Sequence, residues 1–236
     1  MFHVKHLKIN IKMKHTVFLI LAIGLFFFSC NQNEQTSAIE EVQTENLQVN
    51  EEVSKDEEEI LNLIRQVLKW GDSKGAISFW KLVADETDTI CIGLDMKEHR
   101  KNLDKLKKTD FFSKEFIENF NKIILTLDKK LQNKEFGECL VGDLPPFNFA
   151  SDVNAWCSCQ EYPYDDPNVW NVDIKVICLN NENGELEYTW GKSIIDENTF
   201  WGDFKYKFKV VKENNKWKIS YMEGFDYEEG IKGMDE

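Results

Sequence analysis

The apolar positions of this chain change period once, from helical spacing in the first two thirds to strict alternation in the last. Ile60, Leu61, Ile64, Val67 and Leu68 recur at intervals of three and four, the spacing that lays one stripe along a helix. Ser54 and Glu57 make an S-x-x-E capping box, and Asp56 to Glu59 place acids at the positive end of the helix dipole. The pattern predicts a helix over 55–70, with Lys69 in its last turn and Gly71 closing it in the left-handed conformation. Ile77, Phe79, Trp80 and Leu82 suggest a short helix, and residues 89–93 an extended segment or a tight loop. Residues 97–108 read as helical with Leu103 and Leu106 inward. A long helix is expected over 110–132, where Phe112, Phe116, Phe120, Ile123, Leu127 and Leu131 form one stripe.

Residues 137–167 break both periods. Four prolines, several Asp and Asn, and two closely spaced cysteines predict a long ordered loop, and loops of this length inside a domain are often functional. Alternation then begins. Val172, Ile174, Val176 and Cys178 alternate with polar residues, as do Leu186, Tyr188 and Trp190 after the turn signal Asn183-Gly184. Phe204, Tyr206, Phe208 and Val210 alternate with Lys205, Lys207 and Lys209. Beyond Asn214-Asn215, Trp217, Ile219 and Tyr221 alternate with Lys216, Lys218 and Ser220. Four strands in two hairpins give an antiparallel sheet with one aromatic face. Helices first and strands last make the fold class α+β, with N-terminal helices packed on a C-terminal sheet of about four strands.

The first 54 residues follow another logic. A basic start (Lys12, Lys14, His15) precedes the apolar run Val17 to Phe28, then Ser29, Cys30 and a polar stretch. That order is a secretory signal. The run is about twelve residues, short of the roughly 20 that a membrane-spanning helix needs. Met13-Lys14 supplies the same basic start as Met1, so translation from either serves. The Phe27-Phe28-Ser29-Cys30 junction resembles the lipobox of bacterial lipoproteins. The resemblance implies cleavage before Cys30, lipid on that cysteine, and a partner that is the membrane itself, reached through the acyl chains. Asn31 stands where some lipoproteins carry an inner-membrane retention aspartate, which by analogy favours the outer membrane. Residues 31–54 lack aromatics and read as a flexible tether, about 25–30 Å long as a coil. The expected organisation is a signal over 1–29, a lipid-anchored linker over 30–54 and one domain over 55–236.

Loss of residues 1–29 removes four lysines and no acid, so the formal charge moves from −13 to −17. Such a surface repels nucleic acid. His99 becomes the one remaining histidine, which argues against a serine or thiol hydrolase with a histidine base. No phosphate loop or dinucleotide fingerprint occurs, and no cofactor is implied. Five cysteines follow Cys30. An oxidising compartment permits disulfides, and at least one is expected among Cys139, Cys157, Cys159 and Cys178. Cys157-Ser158-Cys159 lacks the partner pair that structural zinc wants. Asn180 to Gly184 fails as an EF-hand loop because Leu179 falls at position one.

The order of elements over 55–223 looks like the cone-shaped α+β fold of the nuclear-transport-factor-two-like superfamily, in which a curved sheet wraps helices around a pocket. Local texture resembles a family of uncharacterised lipoproteins common in the Bacteroidota. It is carried by Ile92-Gly93-Leu94-Asp95, Phe111 to Asn119, Leu144-Pro145-Pro146-Phe147, Trp156-Cys157-Ser158-Cys159-Gln160 and Trp217-Lys218-Ile219. Enzymes of the cone fold imply a cavity carboxylate, for which Asp152, Asp165, Asp166 and Asp173 are the candidates. The plainer reading makes them surface acids and His99 a solvated helix residue. Trp156, Trp170, Trp190 and Trp201 flank the loop-rich region and could line a ligand groove, although tryptophans are more often core. The lysine stripe at 205, 207, 209, 216 and 218 is either a partner-binding face or ordinary pairing with Glu185 and Glu187. The expected function is a non-enzymatic module that binds a small ligand or an envelope protein. The alternatives are an isomerase- or hydrolase-type enzyme using buried carboxylates, and an inhibitor-like lipoprotein against a toxin or lytic enzyme.

Overall fold

The computed structural model describes residues 43–163, 168–190 and 200–234, with side chains from residue 55. Cys30, Asp165 and Asp166 lie outside the described residues. Helix α1 spans Gln43–Gly71, strands β1 Leu82–Ala84 and β2 Cys91–Leu94 form a small hairpin, and α2 Met96–Thr109 and α3 Lys114–Gln132 follow. The main sheet comprises β3 Asp173–Leu179, β4 Asn183–Thr189, β5 Tyr206–Glu213 and β6 Lys216–Met222 in the order β3-β4-β5-β6, every pair antiparallel. A one-turn α4, Tyr227–Gly230, closes the described chain. The fold is α+β, helices against a four-stranded antiparallel sheet.

The stripes found their partners. Ile60, Ile64, Val67 and Leu68 of α1 and Phe116, Phe120, Ile123, Ile124 and Leu127 of α3 are fully or almost fully buried against Leu186, Phe208, Val210 and Ile219 of the sheet. Asp56, midway along α1, accepts the Lys212 ammonium at 3.1 Å and the Trp217 indole N–H at 2.9 Å. One carboxylate thereby pins the helix to the β5–β6 hairpin. Asn214 and Asn215 turn that hairpin with φ of +54° and +60°, a pair of left-handed residues whose twist matches the strands.

Several boundaries differ from the sequence pattern. α1 starts at Gln43, so Ser54 sits within the helix rather than at its N-cap position, and the segment read as tether is helical from residue 43. Gly71 ends α1 without a positive φ. It is small because a Cβ there would stand 2.6 Å from Trp156 Cγ. Residues 77–81 are irregular rather than helical, leading into β1. The helix expected from 110 begins at Lys114, with Ser113 as its N-cap accepting the Phe116 N–H. Phe112 instead lies beside β6 in a parallel bridge to Ile219, held by Ser113 N–H to Ile219 O and Ile219 N–H to Phe111 O, both 2.9 Å. The first hairpin turns at Asn180, whose side chain accepts the Glu182 and Asn183 N–H groups, and Asn183-Gly184 opens β4.

Two aromatics leave the expected face. Phe204 precedes β5 and is 41 % exposed. In β6 the register slips between Lys209 and Val210, so Met222 opposes Phe208 and Tyr221 opposes Lys209. The extra residue is a bulge that turns Tyr221 to the lysine side and gives the core Met222 instead.

Three lysines of the stripe are paired, partly as expected. Lys209 meets Glu185 at 3.4 Å, while Lys216 and Lys218 both hold Asp110, at 2.9 and 2.7 Å. These two ammonium groups hold the Asp110 carboxyl at about 2 rather than 3.8. A lowered carboxylate pKa contributes stability above its ordinary value and loses it as pH falls toward 2. Asp110 is half exposed, so solvent screening limits the term to about 1 kcal/mol or less. Asp110→Asn, which tolerates the φ of +61° there, is expected to be slightly less stable than wild type at pH 7 and equal to it at pH 2 in urea titrations. A gap that persists at pH 2 refutes this account.

Candidate functional site: an aromatic groove beside the Cys157–Cys159 turn

The end of β4 and the start of β5 build a stack of rings. Tyr188 and Tyr206 are direct cross-strand partners, with near-parallel rings 5.1 Å apart. Trp190 packs edge-on to Tyr206 at 5.1 Å and to Trp201 at 5.8 Å. Above this stack runs a groove of about 530 Å³. Trp201, Phe204 and Tyr206 line one side, Cys159, Gln160 and Glu161 the other, and Glu223 is also part of the lining.

The opposite wall is shaped by a tight turn. Asn154 and Cys159 form an antiparallel bridge, and Ser158 takes a φ of +48°. Cys157 and Cys159 Sγ consequently lie 1.94 Å apart, with Cα atoms 5.1 Å apart. Of the other cysteines in the expected set, Cys139 lies beside Cys91 and Cys178 stands on β3 without a disulfide. The turn and the rest of the long loop are held by packing. Phe147, Phe149, Ala155 and Trp156 are all at most 2 % exposed.

Two polar atoms behind the groove are unusual. Tyr188 Oη and Trp190 Nε1 are buried and have no hydrogen-bond partner. An unmade hydrogen bond of this kind costs about 1–3 kcal/mol, and buried groups left so are few in native proteins. Burial, and then the neighbouring Tyr206 and Glu223, push the Tyr188 hydroxyl well above its usual range. Burial and Glu223 push Tyr206 up to about 12. Both phenols stay protonated across the physiological range. They can donate hydrogen bonds, and they do not serve as bases.

The four sequence-picked tryptophans divide evenly. Trp201 lines the groove and Trp190 backs it. Trp156 sits in the core among Trp70, Phe79, Phe112 and Phe225, and Trp170 stacks on Tyr162 while its N–H reaches Asp72. The two candidate carboxylates among the described residues do not converge. Asp152 is exposed and accepts Gln160 Nε2 at 2.8 Å, whereas Asp173 pairs with Arg65 of α1 at 3.7 Å. Glu161 and Glu223, which do line the groove, are exposed, and Glu223 accepts the Lys207 N–H. His99, expected in solvent, is 4 % exposed between α2 and α3, bonded to Asn121 at 2.9 Å and packed on Phe120. Its burial lowers its pKa. Among the described residues no cluster of three or more His, Cys, Asp or Glu could hold a metal, and no helix is long and apolar enough to cross a membrane.

A second groove of about 430 Å³ runs along α3 beside Lys114, Glu118, Glu213 and Lys218. Most of its charges pair, Lys114 with Glu118 and Lys218 with Asp110 and Glu213, while Lys107 also lines it. The aromatic groove is the stronger candidate because the rings of Tyr188 and Trp190, whose polar atoms lack partners, pack on its aromatic lining; His99 Nδ1 and Asn102 Oδ1 are also unpartnered, but in the α2 region. Tyr188, Tyr206 and Glu223 went unnoticed in the sequence, where the two tyrosines are ordinary members of an alternating strand. Compared with known proteins, the chain matches no family model, no curated protein sequence and no solved structure.

Proposed function

We propose that this is a lipid-anchored protein of the bacterial envelope, held through Cys30, whose domain binds its ligand in the aromatic groove without covalent chemistry. The ligand has a flat apolar part to lie on Trp201, Phe204 and Tyr206, and a neutral hydrogen-bond acceptor. The observation that carries this reading is the pair of buried donors, Tyr188 Oη and Trp190 Nε1, packed directly against the rings that line the groove. Aromatic lining with a few placed polar groups is the usual make-up of a small-molecule site. Glu161 and Glu223 outnumber Lys205 at the lining and so disfavour an anionic ligand by like-charge repulsion. Isomerase or hydrolase chemistry would ask for buried converging carboxylates, while Asp152 and Asp173 are exposed and separately paired.

The full chain, produced in an exporting bacterium with labelled palmitate, is expected to carry label that Cys30→Ala lacks. Label retained by Cys30→Ala refutes the anchor. For the groove, 1-naphthaleneacetamide supplies a ring and a neutral carbonyl. Saturation-transfer NMR is expected to show binding that Trp201→Ala weakens up to about tenfold, the scale of one lost aromatic contact, in a protein that stays folded at the temperature of measurement although the lost packing on Trp190 lowers its thermal midpoint. No transfer to the wild type, or equal binding by the variant, overturns the groove as the site.

A further inference from the structure

Five cysteines follow Cys30, and in the structure only Cys157 and Cys159 are within bonding distance. Cys91 and Cys139 are both thiols, each 5 % exposed. They come from distant parts of the chain and meet across a short ladder. Ile90 and Leu140 form an antiparallel bridge. The Val141 N–H bonds Thr89 O at 3.0 Å and the Cys91 N–H bonds Cys139 O at 2.8 Å. That pattern sets Cys91 directly opposite Cys139 at a hydrogen-bonded position, where Cα atoms stand about 5.5 Å apart. A disulfide wants about 4.4–6.8 Å. Directly opposed residues of a ladder project to the same face, and both of these side chains are buried in the core, thiol beside thiol.

We propose that Cys91 and Cys139 are a disulfide-forming pair, oxidised in the mature protein, which would leave Cys178 as its one free thiol. The oxidised state rests on the export reading above; the pairing rests on the ladder. The oxidant is a disulfide donor, RS–SR, acting by exchange. Attack by one cysteine releases RSH and leaves a mixed disulfide, and the second cysteine displaces the other RSH. Two S–H bonds are lost, one S–S bond forms in the protein, and the donor takes up both electrons and both protons. A recess of about 250 Å³ lined by Cys91, Cys139, Gly137 and Glu138 gives the donor access. Burial, and then the Cys91 thiol, push Cys139 up to about 12. The bond would fasten the start of the long loop to β2, while the Cys157–Cys159 turn shapes the part of that loop that lines the groove.

The test uses the full chain with its signal, extracted from the envelope, alkylated without reduction, digested and weighed. The expected species is a peptide linking Cys91 to Cys139, with Cys178 alkylated. A chain in which Cys157 and Cys159 are bridged but Cys91 and Cys139 are both alkylated has met an oxidant and refused the bond, which overturns the pairing. Should Cys157 and Cys159 also be alkylated and Cys30 carry no lipid, the export reading has failed instead. Oxidised glutathione is then added to the same full chain. Closure of Cys91–Cys139 with release of two glutathione molecules per bond supports the ladder; stable glutathione adducts or unreacted thiols refute it. Cys91→Ala is expected to unfold about 5–10 °C below the oxidised wild type and level with the wild type under reductant. Equal midpoints without reductant count against the bond.

Discussion

Phe225→Ala is expected to destabilise the domain by about 4 kcal/mol, the upper part of the range for truncating a buried phenylalanine. The ring is 1 % exposed and ties together α3, the segment before β1 and the long loop. It packs on Phe116 at 4.7 Å and Phe120 at 6.2 Å in α3, on Phe79 at 5.7 Å before β1, and on Phe149 at 5.7 Å and Trp156 at 4.9 Å in the long loop. Aromatic pairs of this geometry add about 0.5–1.5 kcal/mol beyond area alone. The cavity is hard to refill, because its neighbours are rings fixed by one another. Urea unfolding followed by tryptophan fluorescence measures the loss. A cost under about 1.5 kcal/mol would mean that the surrounding rings collapse into the space and that the cluster is softer than its packing indicates. The midpoint is expected to fall by about 8–16 °C.

That cluster also marks where the sequence stopped being readable. The stripe of α3 and the alternation of β4 and β5 were legible because one face of each element is buried over its whole length, which writes a period into the residues. Phe147, Phe149 and Trp156 carry as much of the core, but they hang from irregular backbone, where apolar residues have no period. Trp156 looked like a groove residue for the same reason. The β6 bulge was hidden because strict alternation of Trp217, Ile219 and Tyr221 assumes a constant register, and one extra residue reverses every side chain after it. Helix α1 was read as starting at Ser54 because a capping box is a local signal, and the same four residues can sit inside a longer helix.

The candidate site was legible by half for a different physical reason. Trp201 and Trp190 attract notice as large aromatics near a long loop. What distinguishes the site is that Tyr188 Oη and Trp190 Nε1 lack partners, and satisfaction of a hydrogen bond is a property of three-dimensional surroundings that no residue type reports. The carboxylate reading depends on surroundings in the same way, and Asp165 and Asp166 lie outside the described residues. Asp152 and Asp173 are the residue type that buried acid–base chemistry requires, but Gln160 and Arg65 hold them at the surface. The Cys91–Cys139 juxtaposition was equally invisible, since it depends on a single bridge between β2 and the start of a loop.

Gly224→Ala is the sharpest single-atom test of how the long loop is seated. Gly224 lies in the short 3-10 turn after β6, between buried Met222 and Phe225. A Cβ placed there would overlap the Ala155 carbonyl oxygen and stand 2.7 Å from its carbonyl carbon and 2.9 Å from its Cα. These are backbone atoms, so no flexible side chain can swing aside. Ala155 is itself 1 % exposed beside Trp156 and Cys157, so the loop can yield only by lifting these residues from the core. Overpacking of this kind costs about 3 kcal/mol, the top of its usual range, and the midpoint is expected to fall by about 6–12 °C. The displaced segment runs straight into the groove lining at Cys159 to Glu161, so 1-naphthaleneacetamide binding is expected to weaken as well. Gly75→Ala is the control. Its Cβ meets nothing nearer than Ser73 Oγ at 3.7 Å, and its stability is expected within about 0.5 kcal/mol of wild type. A Gly224→Ala protein within 1 kcal/mol of wild type would show that the loop at Ala155 yields freely, and that the turn carrying Cys157 and Cys159 is not seated on Gly224 as described.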